Sequence, residues 1–149
     1  MIKKQTNEII IDAGFLIALL NRKDHYHKKA KELIRKLPRK RWISTWLVIT
    51  EVSHILVKQG APTAVRGLLD LCENGGINLF HLESNHIPRL RELLKKYQSL
   101  PADLADVSLV ILAEDLGHGE ILSTDLRDFN TYRWKNHKPF CNLFNCIPK

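Results

Sequence analysis

Three consecutive isoleucines, Ile9-Ile10-Ile11, run directly into an aspartate, Asp12. An unbroken β-branched run has no polar face to turn toward solvent, so residues 8–12 read as a strand covered on both sides. A strand of that kind belongs inside a parallel sheet with helices on either face.

The rest of the chain supplies the partners. Residues 14–20 read as a short helix. Tyr26, Ala30, Leu33, Ile34 and Leu37 recur at helical spacing, with Pro38 as the stop. Trp42-Ile43-Ser44 reads as a second strand. Ser44 or Thr45 is placed to cap a third helix that runs to Lys58 and is stopped by Gly60. Pro62 fits the first turn of a fourth helix with Val65, Leu68, Leu69 and Cys72 on one face, ended by Gly75-Gly76. Residues 77–82 form a strand. Ile87, Leu90, Leu94 and Tyr97 mark a fifth helix with Pro88 near its start. Residues 103–116 are apolar on nearly every side and predict a deeply buried helix. Residues 120–124 follow as a strand, then an irregular tail over 132–147 with one edge strand near Phe140. Alternating strands and helices give an α/β three-layer sandwich, with a mostly parallel central sheet of four to five strands flanked by helices. No linker, repeat or low-complexity stretch interrupts the 149 residues, so residues 1–149 read as a single domain.

Charge and cysteine content narrow the function classes. The net charge of +7 and pI near 9.5 favour a polyanionic partner, nucleic acid ahead of a membrane surface. No uncharged apolar stretch approaches the roughly 20 residues of a membrane span. Lys3 and Lys4 before an apolar run imitate a signal peptide, but Asp12 breaks the run and Asn21-Arg22-Lys23-Asp24 stands where a cleavage site belongs. Cys72, Cys141 and Cys146 lack zinc-site spacing and read as reduced thiols of a cytoplasmic protein.

Four acids stand where apolar residues are expected. Asp12 ends the isoleucine run. Glu51 lies one turn from both Leu47 and Ile55 in the stripe of its helix. Asp106 opens the most hydrophobic helix, and Asp125 follows Ile121-Leu122-Ser123-Thr124. Asp12 and Asp125 stand at carboxyl ends of strands, where ligands of open α/β sheets gather. Buried carboxylates need partners or protons, and these segments offer no recurring lysine or arginine. A divalent cation satisfies them, and an all-oxygen donor set selects Mg²⁺ or Mn²⁺ over zinc. Three of the four acids also have a structural alternative. Asp103 and Asp106 have the spacing of a helix cap and its partner, Asp125 and Asp128 flank a turn, and Asp12 is able to cap the helix after it. Glu51 has no such role in the middle of an apolar stripe.

These residues carry a family resemblance. Ile10-Ile11-Asp12-Ala13-Gly14-Phe15-Leu16, Val48-Ile49-Thr50-Glu51-Val52, Asp103-Leu104-Ala105-Asp106-Val107-Ser108-Leu109 and Leu122-Ser123-Thr124-Asp125-Leu126-Arg127-Asp128-Phe129 resemble PIN-domain proteins, specifically VapC-like ribonuclease toxins of type II toxin–antitoxin modules. The ending Tyr132-Arg133…Pro139-Phe140 also agrees. The resemblance implies a metal-dependent endoribonuclease with Asp12, Glu51, Asp106 and Asp125 as catalytic and metal-holding acids, and Asp103 and Asp128 in support. It further implies a small antitoxin partner and a homodimer. Ala13 departs from the Ser or Thr common after the first aspartate, whereas Thr124 keeps a hydroxyl beside Asp125.

Residues 22–41 hold ten Lys/Arg against two acids, a charge of +8 that exceeds the net charge of the chain. That density suits RNA phosphates, with Arg22, Lys23, Lys28, Arg35, Arg39, Lys40 and Arg41 as candidate contacts. His25 and His27 extend the hydrated basic patch. Trp42 and Trp46 are placed to stack on bases, although burial in the core is the preferred expectation for both. The competing reading is a non-catalytic RNA-binding module whose acids hold a metal structurally. A phosphatase would need an acid at Gly14, and a receiver domain would need paired acids on the first strand with a late lysine; neither pattern is present.

Overall fold

The computed structural model describes residues 7–37 and 39–145. The expectations placed on Lys3, Lys4, Pro38, Cys146 and Ile147 lie outside the described residues. Strand β1 (Glu8–Ile11) is central, paired in parallel with β2 (Arg41–Thr45) on one side and with β4 (Glu120–Leu122) on the other. β3 (Ile77–Phe80) and β7 (Cys141–Asn142) complete a five-stranded sheet of order β3-β2-β1-β4-β7, parallel throughout. Ile9, Ile10 and Ile11 alternate faces along the strand, yet each is at most 2% exposed. Both faces are therefore covered, as the uninterrupted isoleucines require.

Helices α1 (Ala13–Leu20), α2 (His27–Lys36), α3 (Trp46–Lys58), α4 (Pro62–Glu73), α5 (Ile87–Lys96) and α6 (Leu104–Leu116) flank the sheet. α6 is the most buried, with seven successive positions from Val107 to Ala113 and also Ala105 inside, and it packs on β1 and β2. Gly117 ends it in the left-handed conformation, φ +75°, the geometry in which glycine meets no Cβ penalty. Thr45 caps α3 by accepting the Val48 N–H. Its hydroxyl also meets Ser108 Oγ on α6 at 2.7 Å. The Ser108 proton goes to the Ala105 carbonyl, so Thr45 is the donor in that pair.

The structure departs from the sequence reading in identifiable places. Strands expected over 77–82 and 120–124 stop at Phe80 and Leu122. A short helix α7 (Leu126–Thr131) replaces the turn at Asp125, because Asp125 caps it. On α4 the buried residue is Leu68, with Leu69 45% exposed; on α5 it is Leu93, with Ile87 50% exposed. Val65 and Cys72 on α4 and Leu90, Leu94 and Tyr97 at α5 do pack on the core as the periodicity predicts, so only Leu69 and Ile87 depart from it. Trp42 is half-buried, its ring edge-on to Phe15, whereas Trp46 is 48% exposed and overturns the expectation of burial. The tail is less irregular than expected. β5 (Arg133–Trp134) and β6 (Lys138–Pro139) form a hairpin whose turn residues Lys135 and Asn136 both have positive φ, a twist that suits tight hairpins.

At Gly14 the first turn of α1 passes so close to Thr124 that any Cβ would collide with Thr124 Oγ1. Gly14→Ala is expected to destabilise the protein by about 1–3 kcal/mol through overpacking. Adding Thr124→Ala should recover most of the loss, which parallel denaturant titrations of the single and double variants will measure.

Candidate active site

A parallel sheet ends all its strands at one edge, so the residues that follow β1 and β4 meet there. Asp12, immediately beyond β1, is 4% exposed and caps α1. Its Oδ1 accepts the Ala13 N–H at 2.7 Å, and its Oδ2 accepts the Ser123 hydroxyl at 2.7 Å. Burial pushes its carboxyl up to about 7, against the opposing pull of the Ser123 and Ala13 hydrogen bonds, with Glu51 and Asp125 adding repulsion. Asp125 caps α7 by accepting the Asp128 N–H at 3.1 Å, and its own N–H donates to Ser123 Oγ at 3.0 Å. The buried Ser123 hydroxyl thus joins two of the four acids, donating to one and accepting from the backbone of the other.

Two helices bring the remaining acids. Glu51 projects from α3 and is half-buried; its Oε2 is enclosed without any hydrogen-bond donor. Desolvation first, then the charges of Asp103, Asp106 and Asp125, push it up to about 7. Asp106 sits in the first turn of α6, where Asp103 caps the helix by accepting the Asp106 N–H at 2.9 Å. Tyr132 OH donates to Asp106 Oδ2 at 3.2 Å. Asp106 also rises to about 7, through desolvation and then through Asp12 and Asp103. Asp128 is raised by desolvation and by Asp125.

All four singled-out acids therefore gather at one edge and sense one another, with Asp103 and Asp128 on the margin. Two of the four, Asp12 and Asp125, also cap helices, as does Asp103; the caps at Asp12 and Asp103 are the ones the sequence offered as alternatives, whereas at Asp125 it offered only a turn. Glu51 caps nothing. Among the described residues no three such side chains close tightly enough to hold a metal ion as they stand. The donor set nevertheless consists of hard oxygens, and the orphaned Glu51 Oε2 is the atom a cation would satisfy.

Three contributors escaped the sequence reading. Ser123, rather than Thr124, touches the carboxylates; Thr124 faces Gly14. The available signal was a hydroxyl next to the apolar pair Ile121-Leu122, two residues before Asp125. Tyr132 reaches Asp106 across the fold. Asn142, on β7, accepts the Ser123 N–H at 3.1 Å and donates to the Ser123 carbonyl at 2.9 Å, holding that residue on both sides. Nothing local marks the last two. Of the basic candidates, Arg22, Lys23, Lys28, Arg35, Arg39 and Arg41 are exposed, and Lys40 forms an ion pair with Glu120 at 2.8 Å. Arg41 begins β2 level with Glu8, about 13 Å of strand from the edge where Asp12 stands.

A family model for the PIN domain matches residues 9–135. Among solved structures, the chain is similar to Mycobacterium tuberculosis VapC20, a toxin that cleaves the sarcin–ricin loop. The TM-score is 0.66 with 18% identity, over 73% of this chain and 83% of that one. No curated protein matches the sequence.

The raised carboxyls give a signed expectation. Their ordinary values are 3.8 and 4.5 and their folded values about 7, so between roughly pH 4 and pH 7 the folded state keeps protons that the unfolded chain has released. Their contribution to stability is fully present below pH 4, falls across that window, and is gone above pH 7. Glu51→Gln removes one of the repelling charges. It should raise Tm at pH 8, by about 2–4 °C for each kcal/mol relieved, and leave Tm unchanged at pH 4. Ser123→Ala should destabilise by about 1–3 kcal/mol and raise the Asp12 titration midpoint further, followed through the Asp12 carboxyl carbon by NMR.

Proposed function

The chain belongs to the PIN domain family, and from that premise we propose that it is a divalent-metal-dependent endoribonuclease, the toxin of a toxin–antitoxin pair. The observation that carries the reading is the convergence of Asp12, Glu51, Asp106 and Asp125 from four separate elements, with Glu51 Oε2 buried and unsatisfied. The fold shared with a toxin that cleaves the sarcin–ricin loop supports it. We take residues 1–149 as one such domain. A cytoplasmic location goes with the reading, and no helix among the described residues is long and apolar enough to cross a membrane.

Asp12, Asp106 and Asp125 are the residues that would hold Mg²⁺ or Mn²⁺. Such an ion, when bound, neutralises the scissile phosphate and acidifies water for attack. Glu51 either joins the ligands or accepts the proton of the attacking water; its raised affinity for protons suits a base working near neutral pH. Ser123 keeps Asp12 and the Asp125 backbone in register, and Asp103 and Asp128 add negative potential at the rim. Asn142 acts one step further out, through Ser123.

The polymer needs cations to approach this acidic edge. Arg22, Lys23, Lys28 and Arg35 offer exposed charges along and before α2, and an RNA long enough to cross the sheet also reaches Arg39, Lys40 and Arg41. A small antitoxin covering the carboxylates with a basic side chain, and a homodimer, complete the proposal.

Asp12→Asn preserves the helix cap, since Asn and Asp cap equally well. It should abolish RNA cleavage in Mg²⁺ or Mn²⁺ while leaving the circular dichroism spectrum and RNA affinity intact. Cleavage by the parent protein that persists in EDTA would overturn the mechanism, and unfolding of Asp12→Asn would favour a purely structural role for the acids.

A further inference from the structure

A cavity of about 550 Å³ opens between α2, α4 and the sheet. Trp42 faces it from the sheet over the buried Ile9 and Leu122, and Ile34 of α2, Leu37 just beyond α2 and Leu71 of α4 close it from the helical side. Gly75 and Gly76 contribute only backbone to its wall, so no side chain intrudes from that turn. Arg39, Lys40 and Arg41 line its mouth. None of these residues belongs to the carboxylate edge, and the proposed RNA cleavage does not account for the cavity.

Its chemistry is divided by depth. Among the described residues the interior is aliphatic apart from the indole of Trp42, and none brings a hydroxyl, amide or carboxylate side chain to read the edge of a base. The mouth is cationic. Lys40 is already paired with Glu120, which leaves the two guanidinium groups as the anion-facing charges. Arg39 and Arg41 are exposed, and among the described residues neither forms an ion pair. Guanidinium offers paired donors that match carboxylate and phosphate oxygens. The volume lies within the range of small-molecule sites, which are mostly apolar with a few polar groups to fix orientation. We propose that this cavity binds a small amphipathic anion, its apolar body against Ile34, Trp42 and Leu71 and its carboxylate or phosphate head on Arg39 and Arg41.

The test uses the full chain, with decanoate and decyl phosphate as probes and decanol as the uncharged control, followed by calorimetry and tryptophan fluorescence. One probe per chain should bind saturably, at least tenfold tighter than decanol, and the better of the two anions identifies the preferred head. Arg39→Gln combined with Arg41→Gln changes only exposed side chains. That variant should fold normally and lose at least tenfold in affinity for the anion, with decanol unaffected. Leu71→Trp, which fills the cavity, should remove saturable binding of either probe while Asp12→Asn leaves it unchanged. Absence of saturable binding, anions binding no tighter than decanol, or affinity indifferent to the arginine pair would each overturn the proposal. In those cases the two arginines would remain as phosphate contacts for RNA alone. Because no arm of the test reads RNA cleavage, its failure and a failure of the nuclease reading are separately visible.

Discussion

The rest of the site depends on one carboxylate kept out of water. Asp12 is fixed at the end of a strand that cannot turn outward, so its burial is set by the isoleucines before it rather than by any requirement of its own. Two hydrogen bonds hold its oxygens, one from the next residue and one from Ser123. These bonds favour the ionised form, yet desolvation outweighs them, and the carboxyl remains raised. Every other acid at this edge is added to a region already unfavourable to negative charge. A fold that tolerates such an arrangement forgoes stability at neutral pH, and the shortfall is repaired wherever positive charge enters.

The architecture was legible because two patterns were extreme. An isoleucine triplet and a helix apolar on nearly all sides leave few arrangements other than a covered parallel sheet, and the four anomalous acids were visible against that apolar background. The less extreme patterns misled at single positions, Leu69 and Ile87, rather than in kind. On α4 and α5 the leucines are spaced so that more than one face is plausible, and packing against neighbours chose Leu68 and Leu93. Trp46 looked like core because tryptophan is large and apolar, but it occupies the first turn of α3, where the chain leaves the sheet for solvent. Ser123, Tyr132 and Asn142 were not identified because their roles are relations across the fold, which one sequence does not display.

Charge is sorted by edge. The carboxylates lie beyond the carboxyl ends of the strands, while the basic segment ends where β2 begins. Opposite charges at opposite ends of one sheet attract little at that distance in water and salt. A polyanion therefore meets the basic side without first neutralising the acidic one, and the two regions are free to serve different parts of one ligand, or different ligands.

Asn142 gives the molecule an order in time. The hydroxyl that steadies Asp12 comes from a residue 111 positions later, and that residue is itself held from β7, nineteen positions beyond. Contacts of such long sequence separation form late, because much of the chain must be ordered before they close. During vectorial synthesis β7 is delivered after every other strand of its sheet. The hydrogen bonds that fix Ser123 beside Asp12 thus close only after β7 has been made. For a protein proposed to cut RNA, that timing separates the growing chain on the ribosome from the competent enzyme.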